Sequence, residues 1–170
     1  MQTAKALQAA LKGEISLQRE FVSLPESVVL SLLHTQQLLD RLSESFFRGH
    51  GMTAAQFNLL MILWDYRGRP LKQTELADLL VVNRASVGEA IARAVKLGWI
   101  SRSPDPRDGR ALSVRISPKG ASALRRAKGP YYRLLGKCGD AISTAQWQAA
   151  LRFLHGFRGF LRGARARITT

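Results

Sequence analysis

Leu71-Lys-Gln-Thr-Glu-Leu-Ala-Asp-Leu-Leu80, then Asn83-Arg-Ala-Ser-Val-Gly-Glu-Ala-Ile-Ala-Arg-Ala-Val-Lys-Leu97 closed by Gly98, then Pro104-Asp-Pro-Arg-Asp-Gly-Arg110: these stretches decide the fold. The first predicts a short helix over Lys72–Leu80 carrying Leu76, Leu79 and Leu80. Asn83 is suited to cap the second helix, which runs to Leu97 and is stopped by Gly98. Two short helices with so tight a connection, the second with a polar outer face, have the layout of a helix-turn-helix. Trp99–Arg102 and Leu112–Ile116 then read as strands. The second alternates, with Leu112, Val114 and Ile116 on one face and Ser113, Arg115 and Ser117 on the other. Asp108-Gly109 marks the tip of the hairpin between them.

Upstream, residues 4–21 read weakly as an amphipathic helix that needs a partner, with Gly13 interrupting it. Ser23-Leu-Pro25-Glu26 starts a longer one. Its apolar stripe is Val28, Leu32, Thr35, Leu39, Leu42 and Phe46, and Gly49-His50-Gly51 ends it. Thr53 with Gln56 is a capping-box signature. It opens a helix through Tyr66 that is apolar on all sides and therefore central. Downstream, Ser117-Pro118 opens a helix toward Cys138, with a kink or break expected at Gly129-Pro130. Ser143 with Gln146 opens a last helix striped by Trp147, Leu151, Leu154, Phe157 and Leu161, with Phe153 and Phe160 beside them. The fold class is mainly α with a small β-hairpin wing (α+β), a winged helix-turn-helix.

The 170 residues hold 26 Lys and Arg against 12 Asp and Glu, a formal net charge of +14 that points to a polyanionic partner. The excess is local: ten Lys or Arg and three acids lie between Arg84 and Arg126, and no acid follows Asp140. Cys138 is the only cysteine, which excludes an intrachain disulfide and a cysteine-based metal site. His34, His50 and His155 lack metal-ligand spacing. The longest apolar run, Phe57–Trp64, is too short to span a bilayer, and the N-terminus lacks a signal-peptide layout. A soluble cytoplasmic protein is expected. With no nucleophile–base pair, phosphate loop or metal cluster in view, an enzyme is not expected, and no cofactor is implied.

Each part of the winged helix-turn-helix has a physical task. The second helix fits the major groove of duplex DNA, where Asn83, Arg84, Ser86, Glu89 and Arg93 are the candidate contacts. Arg84 and Arg93 are better suited to phosphates than to bases. Arg107 and Arg110 on the hairpin are candidates for the narrow, electronegative minor groove. Asp108 would orient them or close the turn.

The sequence resembles the MarR family of bacterial transcription regulators. The likeness is carried by Leu71–Leu80, by Asn83–Ile100 ending in Leu97-Gly-Trp-Ile, and by Asp105-Pro-Arg-Asp-Gly-Arg110 before Leu112-Ser-Val-Arg-Ile-Ser-Pro-Lys-Gly120. It implies a homodimer that binds a pseudo-palindromic promoter site, most often as a repressor. It also implies release by a small aromatic or amphipathic effector, for which His34, Gln37, Phe57 and Met61 are the candidate pocket. The implied organisation is an N-terminal helical extension (1–24), a helical dimerisation region (25–50 and 118–165) and a DNA-binding lobe (51–117). Several positions depart from the family pattern, the first being Val81-Val82 in the turn, where a small residue is usual. Gly88 and Glu89 stand where a polar and a basic residue are usual, Gly88 costing up to ~1 kcal/mol of helix stability relative to Ala, and Ala94 replaces a core leucine. Two other readings remain open at this point: a sequence-indifferent architectural nucleic-acid binder, and a redox-controlled regulator acting through Cys138.

Overall fold

The computed structural model describes residues 3–80, 84–105 and 112–168. Among the described residues, seven helices and three strands follow in the order α1 (Ala4–Glu14), α2 (Leu24–Arg48), α3 (Ala54–Asp65), β1 (Leu71–Lys72), α4 (Gln73–Leu79), α5 (Arg84–Lys96), β2 (Ile100–Pro104), β3 (Leu112–Ile116), α6 (Pro118–Ala141) and α7 (Thr144–Ile168). Met1–Leu124 forms one compact unit and Arg125–Thr170 a second.

Local chemistry sets the helix starts. The Ser23 hydroxyl accepts from Glu26 N at 3.2 Å, with Pro25 in the first turn of α2. At α3 the capping box is complete: Thr53 Oγ1 accepts from Gln56 N at 3.1 Å, and Gln56 Oε1 accepts from Thr53 N at 2.9 Å. Each cap satisfies amides that a helix leaves unpaired at its first turn. As its all-round apolar sequence requires, α3 lies at the centre of the first unit, with Phe57, Leu59, Leu60 and Leu63 buried. Phe47 of α2 stacks on Phe57 at 4.4 Å. Leu71, Leu76, Ile91, Ala94, Ile100, Val114 and Leu124 complete that core.

The sheet is antiparallel in the order β1-β3-β2, with Leu71 opposite Val114 and Ile100 opposite Ile116. Lys72 therefore belongs to a strand, not to the start of α4, because β3 has a free edge that Leu71 and Lys72 fill. The alternation expected of β3 holds at Val114, which is buried, but Leu112 is exposed and Ser113 is fully buried. Gly98 takes φ +70° at the end of α5, the left-handed conformation that favours glycine. At Gly120, a Cβ would come within 2.1 Å of the Trp99 carbonyl oxygen. Glycine is required there for α6 to start against the β2 entry, where Ser117 Oγ also donates to Gly98 O at 2.6 Å.

Two helical expectations change. Helix α1 stops at Glu14, beyond which Ser16 turns the chain with φ +53°. Helix α6 runs through Gly129-Pro130 without interruption. Proline loses one backbone hydrogen bond, but the clash with the preceding residue falls on a glycine that has no Cβ.

In the second unit, α7 opens with the Ser143–Gln146 box, Gln146 Oε1 accepting from Ser143 N at 2.9 Å. Phe153, Phe157 and Phe160 stack along it with centroids 5.7 and 6.4 Å apart. Trp147, Leu151, Phe160 and Leu161 are exposed on α7, as are Leu33, Leu38, Leu39 and Leu42 on α2.

Candidate nucleic-acid interface

The site is built on α4, α5 and the β2–β3 hairpin. Helix α4 is held at its start by Glu75, whose carboxylate accepts from Lys72 N at 2.8 Å and receives both guanidinium nitrogens of Arg69, at 3.1 and 3.3 Å. The Arg69 hydrogen bond, with help from the Lys72 amide, holds the Glu75 carboxyl below its ordinary value and raises the Arg69 guanidinium. Arg69 also lies over the Tyr66 ring at 5.3 Å, so the turn between α3 and β1 is pinned on two sides.

Helix α5 packs through Ala90, Ile91 and Ala94 against α3 and β2. Gly88, Glu89, Ala92, Arg93 and Lys96 are left exposed on its outer side. Small residues on the buried side, including Ala94 in place of a larger apolar one, suit close packing of α5 on α3. A cleft of about 660 Å³ opens between α5 and the N-terminal turn of α3, lined by Thr53, Ala55, Gln56, Glu89, Ala90, Ala92, Arg93 and Lys96. Two cations and the positive end of a helix give this cleft a polarity suited to phosphate oxygens.

The structure thus brings Glu89 and Arg93 together on one surface, and adds Lys96, which the sequence reading had counted only as charge. Arg102 on β2 and Arg115 on β3 are exposed hairpin cations of the same kind. Their signal was present in the sequence as basic residues in strands flanking the turn. Arg84 lies in the first turn of α5 and Ser86 within it. Asn83, Arg107, Asp108 and Arg110 lie outside the described residues.

The base of the hairpin is anchored below the surface. Asp105 is buried and its Oδ2 accepts from Ser113 Oγ at 2.6 Å, while Lys72 Nζ stands 3.9 Å from Oδ1. Neither Ser113 nor Lys72 was singled out from sequence.

The four residues expected to line an effector pocket sit in different settings. Phe57 is in the core, Gln37 is exposed, Met61 is half-buried, and His34 Nε2 stands 3.6 Å from a Glu14 carboxylate oxygen of α1. Cys138 is exposed on α6. Among the described residues no group of three or more His, Cys, Asp or Glu could hold a metal, and no helix is long and apolar enough to cross a membrane.

The short helix α4, the helix α5 that follows it and the three-stranded antiparallel sheet β1-β3-β2 define a winged helix-turn-helix fold. Residues 52–112 match the MarR family model. The HTH-type transcriptional repressor YetL of Bacillus subtilis is 28% identical over 97 residues, 57% of this chain and 58% of that protein. The chain spans less than two thirds of the length of the first curated relatives it matches. Among solved structures, the MarR family regulator Sco3205 of Streptomyces coelicolor, in complex with DNA, has the same fold with a TM-score of 0.73 at 24% identity, covering 83% of this chain and 94% of that one. BpsR of Bordetella bronchiseptica, whose DNA binding is regulated by 6-hydroxynicotinic acid, gives a TM-score of 0.66 at 20% identity, covering 75% and 89%. YetL is named as a transcriptional repressor and Sco3205 as a transcriptional regulator.

Proposed function

We propose that this chain is a DNA-binding transcriptional regulator, acting as a repressor, that binds a pseudo-palindromic promoter site as a homodimer and is released by a small aromatic or amphipathic effector. The observation that carries the reading is the exposed outer side of α5, with Glu89, Arg93 and Lys96, followed directly by a basic antiparallel hairpin. In this arrangement α5 enters the major groove with Asn83, Arg84, Ser86, Glu89 and Arg93, and the hairpin places Arg107 and Arg110 along the minor groove, with Asp108 orienting them. YetL is named as a repressor and Sco3205 is seen with DNA, which supports both halves of the assignment.

Homodimer formation is supported by the exposed apolar residues on α2 and, separately, by those on α7, each a pattern of the kind that marks an association surface. The dimerisation region is assigned to 25–50 and 118–165, the DNA-binding lobe to 51–117, and residues 1–24 to an extension that docks in the dimer interface. Effector control is supported by the regulation named for BpsR. In that reading His34, Gln37 and Met61 reach the ligand, and Phe57, being buried, forms a wall.

The deciding experiment is selection of duplexes from a random pool, followed by anisotropy titrations with selected and random DNA at one moderate salt concentration. A regulator binds the selected duplex at least ~10³-fold more tightly. Equal affinity for both duplexes overturns the reading in favour of a sequence-indifferent binder.

A further inference from the structure

Gly88 lies one turn inside α5, exposed, in ordinary helical conformation, and a Cβ placed on it meets no atom within 4 Å. Neither the backbone nor the packing of this chain calls for glycine there, and an exposed helix interior is weakened by it relative to alanine. Gly120 is the contrast: there the Trp99 carbonyl occupies the space a Cβ would need, so the fold itself demands the glycine. The same open space is found at the exposed Gly136, Gly139, Gly156, Gly159 and Gly163 of α6 and α7; what sets Gly88 apart is its place on the outer side of α5, where a ligand would come close to the backbone. The N-terminal half of a reading helix is the part that reaches base edges, and Gly88 falls within it. Beside it, Glu89 is exposed and is the side chain able to accept from a cytosine amine.

We propose that Gly88 is a specificity-determining position: the missing side chain lets the α5 backbone settle against base edges on the floor of the major groove, which brings the Glu89 carboxylate within reach of a base. The inference rests on the DNA-binding reading above and adds to it a residue with no side chain, whose contribution is the space it leaves. A methyl group at this position lifts the helix from the groove floor, so the loss falls on the bases and spares the phosphate contacts of Arg93 and Lys96.

The test uses the full chain with Gly88→Ala and Gly88→Leu. Duplexes are selected from a random pool by wild type and by each variant, and affinities for the wild-type-selected duplex and for random DNA are measured at one salt concentration. Thermal melting reports the fold. Expected is a Tm raised by ~2–4 °C in Gly88→Ala, together with about tenfold weaker binding of the selected duplex, unchanged binding of random DNA, and a changed base preference. Gly88→Leu should lose more of the selected-duplex affinity while it remains folded. Selected-duplex affinity and base preference equal to wild type in both variants would overturn the role of Gly88 while leaving the regulator reading intact. A Gly88→Ala melting temperature below wild type also overturns it, since the fold would then need the glycine. If wild type itself selects no duplex, the regulator reading fails first and this proposal with it.

Discussion

Ser113 Oγ donates a 2.6 Å hydrogen bond to the buried carboxylate of Asp105, joining the middle strand of the sheet to the start of the hairpin turn. A carboxylate out of water needs donors aimed at it, and Ser113 is turned inward on β3 to supply one. The bond ties the base of the hairpin to the middle strand of the sheet.

Ser113→Ala removes a donor to a charged group without changing much volume. It should cost about 1.5–3 kcal/mol of unfolding free energy and weaken binding of a selected duplex. Chemical denaturation and anisotropy read the two effects, and a variant as stable as wild type would show that the bond does not anchor the hairpin.

Arg110→Ala should weaken specific binding by ~1–3 kcal/mol, the scale of one good groove contact. Its effect on the melting temperature should be small, since surface substitutions stay within about 0.5 kcal/mol. An unchanged dissociation constant at fixed salt refutes the minor-groove assignment.

Thr53→Ala deletes the hydroxyl that accepts from Gln56 N at the start of the central helix. The expected cost is about 1–2 kcal/mol, measured by urea titration. Thr53→Ser keeps the acceptor and should retain most of the stability.

The Arg69–Glu75 pair makes a pH-dependent contribution of defined sign. The folded-state carboxyl lies below its ordinary value, first because Arg69 hydrogen-bonds to it and then because the Lys72 amide does. Its contribution is therefore complete above the unfolded-state value of about 4.3 and is lost as pH falls through the lowered folded value. Glu75→Gln should flatten that acid limb in melting temperatures taken between neutral pH and pH 3, with less difference from wild type at the acid end than at neutrality. The pair is on the surface, so the difference should also shrink in high salt.

Helix α1 of the N-terminal extension packs on α2 through buried Leu11 and through Gln8, whose amide donates to Ser27 Oγ at 3.1 Å. If this extension docks into the dimer, its deletion lowers the dimer fraction at a given concentration. Light scattering on full-length and shortened chains measures this, and an identical dimer fraction would remove the extension from the interface.

Much of the architecture could be read from local signals. The capping boxes at Thr53 and Ser143 stand where their Ser/Thr-x-x-Gln spacing put them, because capping is chemistry within four residues. The all-round apolar run of α3 announced a central helix, and β2 and β3 followed from alternation and an Asp-Gly tip. The exposed Glu89 and Arg93 were legible for the same reason: a helix shows its period in the chain itself. Where competing long-range partners acted, local reading went astray. Lys72 looked like a helix start until β3 offered it an edge, and Ser113 looked like a surface residue until Asp105 was buried beside it.

The sequence by itself determined the order of elements, the position of the helix-turn-helix and hairpin, and the concentration of positive charge there, since each is set by residues close along the chain. Tertiary structure decided which side chains those elements turn outward and which they spend on one another. Ser113 is spent on Asp105 across the sheet and Glu75 on Arg69 across a turn, while Gly88 is left bare on α5 with open space where a side chain would be. Which polar side chains are buried together, and which position is left open, is settled only when distant segments meet, and the local pattern of residues does not encode it.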